Sequence, residues 1–169
     1  AQNADVQVGI AYFDGEKTDD TEPRTGILQP MTSDLSVVDA SLGDLRQKLA
    51  NVVSGGAGST PFDGDGDADP DSNASGIATG TYIGEGVDDA QDELASAGRP
   101  GVKAVNIVLS DGESFNGTGS TSFSSPQDAA TDARSSSPSP ETDLYTVSVG
   151  SANDSVLQQM AGPAGQPGN

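Results

Sequence analysis

The chain lacks cysteine, histidine and tryptophan, and its 169 residues include only seven lysines and arginines. Without cysteine there is no disulfide framework, and the redox compartment stays open. Without histidine and cysteine, imidazole acid–base catalysis, thiol nucleophiles and most zinc sites are excluded. No apolar run approaches the ~18 residues that suggest a membrane span. We therefore expect no membrane insertion in this segment. No cluster of basic residues is present to bind phosphates, so nucleic acid is not expected as a partner and an anionic membrane surface is disfavoured.

Catalytic motifs are equally scarce. The sequence contains no Gly-x-Ser-x-Gly elbow, and the glycines near residue 84 are not followed by the Gly-Lys-Ser/Thr of a phosphate-binding loop. Hydrolysis by a pair of carboxylates stays open by residue type alone, but aromatic platforms for sugars are few, with three tyrosines and four phenylalanines. We therefore expect a protein that is not an enzyme and has no organic cofactor.

What the chain has in excess is negative charge: 26 aspartates and glutamates give a net charge of −19. Two explanations are open, namely many cation sites or life in concentrated salt, where screening removes the repulsion between carboxylates. The small side chains and the presence of only three lysines favour the second explanation. We expect a halophilic, haloarchaeal source and poor stability at low salt.

Hydrophobic periodicity predicts strands that alternate with helices. Apolar residues three and four positions apart predict helices at 35–52 and 83–94, whereas short β-branched runs predict strands at 6–13, 105–110 and 144–150. A short edge strand is expected at 26–28, before Pro30, and further helices at 127–135 and 155–160. This order is typical of an α/β protein with a doubly wound, mostly parallel central sheet flanked by helices.

The strand at 105–110 runs directly into Asp111 and Gly112. Its valines and isoleucine predict a strand that is buried on both faces, as in the centre of a parallel sheet. Ligands of open α/β sheets bind at the carboxyl ends of the strands. Asp111 is therefore placed to hold something cationic or polar.

A second acidic feature lies in a predicted insertion at 57–78, where acidic and amide residues occupy every second position. They are Asp63, Asp65, Asp67, Asp69, Asp71 and Asn73. Alternate carboxylates separated by small residues resemble calcium loops, although alanine stands at 68 and 74, where an EF-hand has glycine and glutamate. Two interpretations stay open: a calcium-ordered insertion, or a disordered acidic linker. Asn73, Asn116 and Asn153 each begin an Asn-x-Ser/Thr triplet, which weakly supports a secreted location.

Two segments, residues 80–90 (GTYIGEGVDDA) and 105–113 (VNIVLSDGE), resemble the von Willebrand factor A (vWA) domain. Residues 8–13 and 145–150 are similar to further strands of that family, so the resemblance covers nearly the whole chain in the expected order. We therefore interpret residues 1–169 as a single vWA-like domain. The resemblance implies a metal-ion-dependent adhesion site in which Thr81 and Asp111 bind Mg²⁺ or Ca²⁺, leaving a position for a partner's carboxylate. The alternative is that Thr81 caps a helix and Asp111 caps a turn.

The chain departs from the family pattern because it has no Asp-x-Ser-x-Ser motif. It opens at about the end of the family's first helix and stops before the last strand. We expect the rest of the domain elsewhere in the native polypeptide; the alternative is a first strand from another part of the assembly. The leading function implied is an extracellular or cell-surface module for adhesion or assembly with a protein partner or with itself. Two alternatives are a structural subunit of a surface layer or filament without a working metal site, and a cytoplasmic module of a chelatase or ATPase complex.

Overall fold

The computed structural model describes residues 6–16, 23–54, 82–112, 114, 124–135, 140–150 and 154–162. These residues form four strands and four helices. In chain order they are β1 (Val8–Glu16), β2 (Pro23–Thr32), α1 (Leu35–Ser54), α2 (Ile83–Ala97), β3 (Ala104–Ser110), α3 (Pro126–Arg134), β4 (Thr142–Ser148) and α4 (Asp154–Ala161). The predicted helices and the three longer predicted strands are confirmed, with ends that differ by a few residues.

The strands form two separate two-stranded sheets, β1 with β2 antiparallel and β3 with β4 parallel. The α/β class is thus present, whereas the single doubly wound sheet is not seen among the described residues and stays a prediction. The β3–β4 register is regular from Ala104 opposite Thr142 to Ser110 opposite Ser148. The carboxyl ends of both strands therefore lie at one edge, which we call the carboxyl edge.

The expectation of a three-residue strand ending before Pro30 is wrong, because β2 is ten residues long and contains Pro23 and Pro30. The pairing register shifts between Val8 and Ile10 on β1, opposite the stretch of β2 that contains Pro30. A residue without a backbone N–H is tolerated on an edge strand or at such an irregularity. Among the described strands β2 pairs only with β1, so both conditions are met.

The core lies between the β3–β4 sheet and helices α2, α3 and α4. Its fully buried members are Ile83, Val87, Val108, Ala129, Ala130, Ala133, Leu144, Leu157 and Met160. The three alanines of α3 let that helix approach the sheet and α2 closely, which suits a chain with few large apolar side chains. Phe13 of β1 packs against this cluster from the side and links the two sheets.

The prediction that β3 is buried on both faces is wrong for the described residues. Ala104, Val108 and Ser110 are buried under the helices, whereas Val105, Ile107 and Leu109 are 46–60% exposed. The physical reason is that α2, α3 and α4 all contribute to the one core cluster on the inner face, and no described helix covers the other. The apolar stripe predicted for α1 is likewise only partly covered, with Val38 buried but Leu42 48% exposed.

Candidate functional site

Asp111 lies at the carboxyl edge, directly after β3, and its side chain is exposed. The turn that carries Asp111 is held by two hydrogen bonds to the preceding residue, Ser110. The buried Ser110 accepts a hydrogen bond at Oγ from the Gly112 N–H, 3.1 Å away, and at its carbonyl oxygen from the Val149 N–H, 3.0 Å away. Gly112 has φ of +79°, a value that glycine adopts without the strain a side chain would add. The backbone position of Asp111 is therefore set by β3, β4 and a glycine with positive φ.

Helix α2 points its amino end toward the same edge. In the middle of this helix, Gln91 donates to the Pro140 carbonyl (2.6 Å) and accepts from the Thr142 hydroxyl (2.8 Å). Thr142 begins β4, so these two bonds hold the middle of α2 at the amino end of the sheet. From there, Val87 and Ile83 continue along the core toward Val108. Eight residues of helix rise about 12 Å, so α2 runs from the amino end of the sheet toward the carboxyl edge.

The residue that caps α2 is Tyr82, which is 1% exposed, and its side chain makes no capping hydrogen bond. Its carbonyl accepts the first helical bond, from the Gly86 N–H at 3.1 Å. The structure thus places the capping position at Tyr82, and the alternative role of Thr81 as a cap stays a prediction. Thr81 itself lies outside the described residues, so its distance to Asp111 stays a prediction.

The first turns of α2 hold the start of α3 through Ser124. The Glu85 carboxylate accepts from the Ser124 N–H at 2.6 Å, and Gly84 packs directly on the carbonyl of Ser124. The adjacent Ser125 caps α3 by accepting from the Asp128 N–H at 3.1 Å. Ser124, where the described chain resumes before α3, is therefore held against the first turn of α2.

Asp88 lies one turn further along α2 and also bonds to Ser124. Partial burial raises the pKa of Asp88 above that of a solvated aspartate; the hydrogen bond with Ser124 opposes this, and the charges of Glu85, Asp132 and Asp92 add to it. This cluster of carboxylates around Ser124 was not predicted from the sequence. The signal that could have revealed it is the pair Gly84 and Gly86, because glycines inside a helical pattern indicate close packing.

The remaining residues of the predicted sites lie outside the described residues, and their roles stay predictions. They are Asp63, Asp65, Asp67, Asp69, Asp71 and Asn73 of the proposed calcium loop, together with the glycosylation candidates Asn116 and Asn153. Within the part of the chain that is described, no group of three or more acidic residues has the arrangement of a metal site. Asp111 is thus the one predicted ligand whose position can be stated.

A groove of about 710 Å³ between β2 and α2 is a second candidate, lined in part by Asp89, Asp92 and Glu93. The Glu93 carboxylate accepts from the Met31 N–H at 2.7 Å, so it joins α2 to β2. The groove is wide open, and Glu93, one of its three acidic residues, already bonds to β2, which makes the carboxyl edge the better candidate. None of the described helices combines the length and apolar character needed to cross a membrane.

Comparison with curated proteins finds no match to this chain. Comparison with protein families matches residues 72–168, more than half of the chain, to the von Willebrand factor type A domain. That range includes α2, β3, α3, β4 and α4, the elements that form the core and the carboxyl edge. Domains of this family commonly mediate protein–protein interaction and adhesion, and they often bind a divalent metal ion. By this match the chain belongs to the von Willebrand factor type A domain family.

Proposed function

We propose that the chain is an extracellular or cell-surface binding module that attaches to a protein partner through a divalent cation at the carboxyl edge. The observation that carries this proposal is the exposed carboxylate of Asp111, held by the Ser110–Gly112 turn at the edge toward which the amino end of α2 points. The proposed role is one of binding and not of catalysis.

The donor chemistry of this edge fits a hard cation. Asp111 offers an exposed carboxylate, and Mg²⁺ and Ca²⁺ prefer carboxylate, hydroxyl and water oxygens. In the proposed site Asp111 and Thr81 hold the ion, which when bound supplies positive charge and an open position for a carboxylate of the partner. With a net charge of −19 the protein repels a carboxylate-bearing partner, and the cation reverses the sign of the local field.

Isothermal titration of the chain with Mg²⁺ and with Ca²⁺, at constant molar KCl, tests the proposal. Asp111→Ala removes one charged ligand, and we expect a loss of at least about tenfold in affinity, equal to about 1.4 kcal/mol. Asp44→Ala is the matched control, because Asp44 is an exposed carboxylate on α1, away from this edge. Equal affinity in Asp111→Ala and Asp44→Ala, with both variants folded, overturns the metal site.

The second candidate is a structural subunit that assembles without the metal. It is favoured by the exposed apolar face of the β3–β4 sheet, since parallel sheets are ordinarily covered on both faces. Sedimentation of the chain with and without EDTA separates the two candidates. Assembly that survives EDTA and Asp111→Ala supports the structural subunit and removes the metal-bridged contact.

A further inference from the structure

Arg134 is the last residue of α3, and part of its guanidinium is buried without a hydrogen-bond partner. The two atoms concerned are Nε and Nη2. They are the two nitrogens on one edge of the planar group, and their N–H bonds are parallel, which is the geometry that arginine uses to bind two oxygens at once. We call this edge the donor edge.

The buried donor edge carries a charge that nothing nearby balances. Arginine cannot relieve the cost of burial by losing its proton. Burial lowers the pKa of the Arg134 guanidinium below its ordinary value, and no carboxylate among the described residues opposes that shift. A buried cation ordinarily has an anion beside it, and a buried donor without an acceptor calls for an explanation such as a bound ion.

The missing counter-charge is unexpected in a chain with 26 aspartates and glutamates. The nearest carboxylate along the chain is that of Asp132, and its charge acts on Asp88 of α2. Residues 135–140 and 162–169 contain no acidic residue. The segments that directly follow α3 and α4 therefore bring no carboxylate side chain to Arg134.

The end of α4 lies against the same guanidinium. Gly162 follows this helix directly and has φ of +83°. A Cβ atom added to Gly162 would lie 3.5–3.7 Å from Cζ, Nη2 and Nη1 of Arg134. The Gly162 N–H donates to the Gln159 carbonyl at 3.2 Å, so it closes the last turn of α4. The carboxyl ends of two helices favour a cation at this place, but they supply no acceptor to the donor edge.

This place is separate from the carboxyl edge. Helix α3 begins beside Ser124, which contacts the first turn of α2, and its nine residues span about 13 Å up to Arg134. The next described strand begins at Thr142, which lies at the amino end of the parallel sheet. A ligand at Arg134 would therefore act independently of a cation at Asp111.

We propose that Arg134 and the end of α4 form a binding site for a small oxyanion, held side-on by the donor edge. A carboxylate, phosphate or sulfate group presents two oxygens to two parallel N–H bonds. Arg134 as a whole is only partly buried, so the anion has to displace only what covers one edge of the guanidinium. A free anion fits better than an acidic partner protein, which a chain with a net charge of −19 would repel over a wide surface. This inference goes beyond the proposed function.

Nuclear magnetic resonance of the arginine Nε–H groups tests the proposal, with inorganic phosphate and acetate as separate probes at constant molar KCl. We expect a saturable shift of the Arg134 Nε–H signal and at least about tenfold slower exchange of its proton with water, because a hydrogen-bonded N–H opens less often. Constant KCl keeps the screening of charges fixed. Arg46, which is exposed on α1, is the internal control and should show no saturable change.

Thermal unfolding of three variants gives a second readout. Phosphate should raise the Tm of the unsubstituted chain, since a ligand that binds only the folded state stabilises it. Arg134→Met should lose this rise, and Arg134→Lys should bind at least about tenfold more weakly, because an ammonium group has no donor edge. Arg46→Met removes the same charge from an exposed position and should respond as the unsubstituted chain does. Without phosphate, Arg134→Met should be at least as stable as the unsubstituted chain, because it removes an unpaired buried charge.

Three results overturn the proposal. The first is the lack of a saturable change at the Arg134 Nε–H with both anions. The second is an equal rise of Tm in Arg134→Met and in the unsubstituted chain, which is the general effect of an excluded salt. The third is a large loss of stability in Arg134→Met without phosphate, because the chain itself then supplies the acceptors of the donor edge.

Discussion

The contact between Gly84 and Ser124 predicts opposite effects for the same substitution at two helical glycines. A Cβ atom on Gly84 would overlap the carbonyl oxygen of Ser124 and lie 2.8 Å from its carbonyl carbon and 3.0 Å from that of Ser125. These are backbone atoms, so they cannot rotate away as a side chain can. Gly43, in α1, has no described atom within 4 Å of the same added Cβ.

The expected magnitudes follow from two opposing terms. Alanine gains about 1 kcal/mol over glycine inside a helix, whereas overpacking a tight contact costs about 1–3 kcal/mol. Because the overlap is with backbone atoms, the cost lies in the upper part of that range, about 2–3 kcal/mol. After the helical gain is subtracted, we expect Gly84→Ala to be destabilised by about 1–2 kcal/mol. Gly43→Ala has only the favourable term, and we expect it to be stabilised by about 0.5–1 kcal/mol.

Thermal unfolding at fixed molar KCl, followed by circular dichroism, measures both variants against the unsubstituted chain. For a chain of this size each kcal/mol moves Tm by about 2–4 °C, so Tm should fall by about 2–8 °C in Gly84→Ala and rise by about 1–4 °C in Gly43→Ala. If Gly84→Ala is as stable as Gly43→Ala, α2 and Ser124 are not locked together. The stated geometry of the carboxyl edge would then be wrong.

Two further predictions concern polar groups of α2, the partly buried Asp88 and the buried Gln91. The pKa of Asp88 is higher in the folded chain than in the unfolded chain. At a pH between these two pKa values the folded chain holds more protons than the unfolded chain, so the free energy of unfolding falls as pH rises through that interval. Asp88→Asn should therefore unfold at a higher temperature at neutral pH, and the difference should vanish below about pH 3.9; a Tm difference independent of pH contradicts this reasoning. Thr142→Val leaves the buried oxygen of Gln91 without its donor and should cost about 1–3 kcal/mol, measured by urea unfolding. An unchanged midpoint shows that the Gln91 bond does not hold α2 to the sheet.

The elements of the core could be predicted from the sequence because their signals are local. The three-four spacing of Ile83 and Val87 defines α2, and the β-branched run before Asp111 defines β3. The resemblance to the vWA family depends on the same stretch, and the family match confirms it there. The exposure of Ile107 and Leu109 could not be predicted, because a fully apolar strand has the same sequence whether one face or both are covered.

The sequence by itself determined the alternation of strands and helices, the acidic surface, the lack of histidine and cysteine chemistry, and the position of Asp111 after a strand. Each of these depends on residue type or on spacing within a few positions. Only the tertiary structure decided that Glu85 and Gly84 contact Ser124 and that Gln91 bonds to the start of β4. It also decided that, among the described elements, none covers the outer face of β3. These contacts join residues far apart in the chain, and nothing in local periodicity encodes which surfaces will meet.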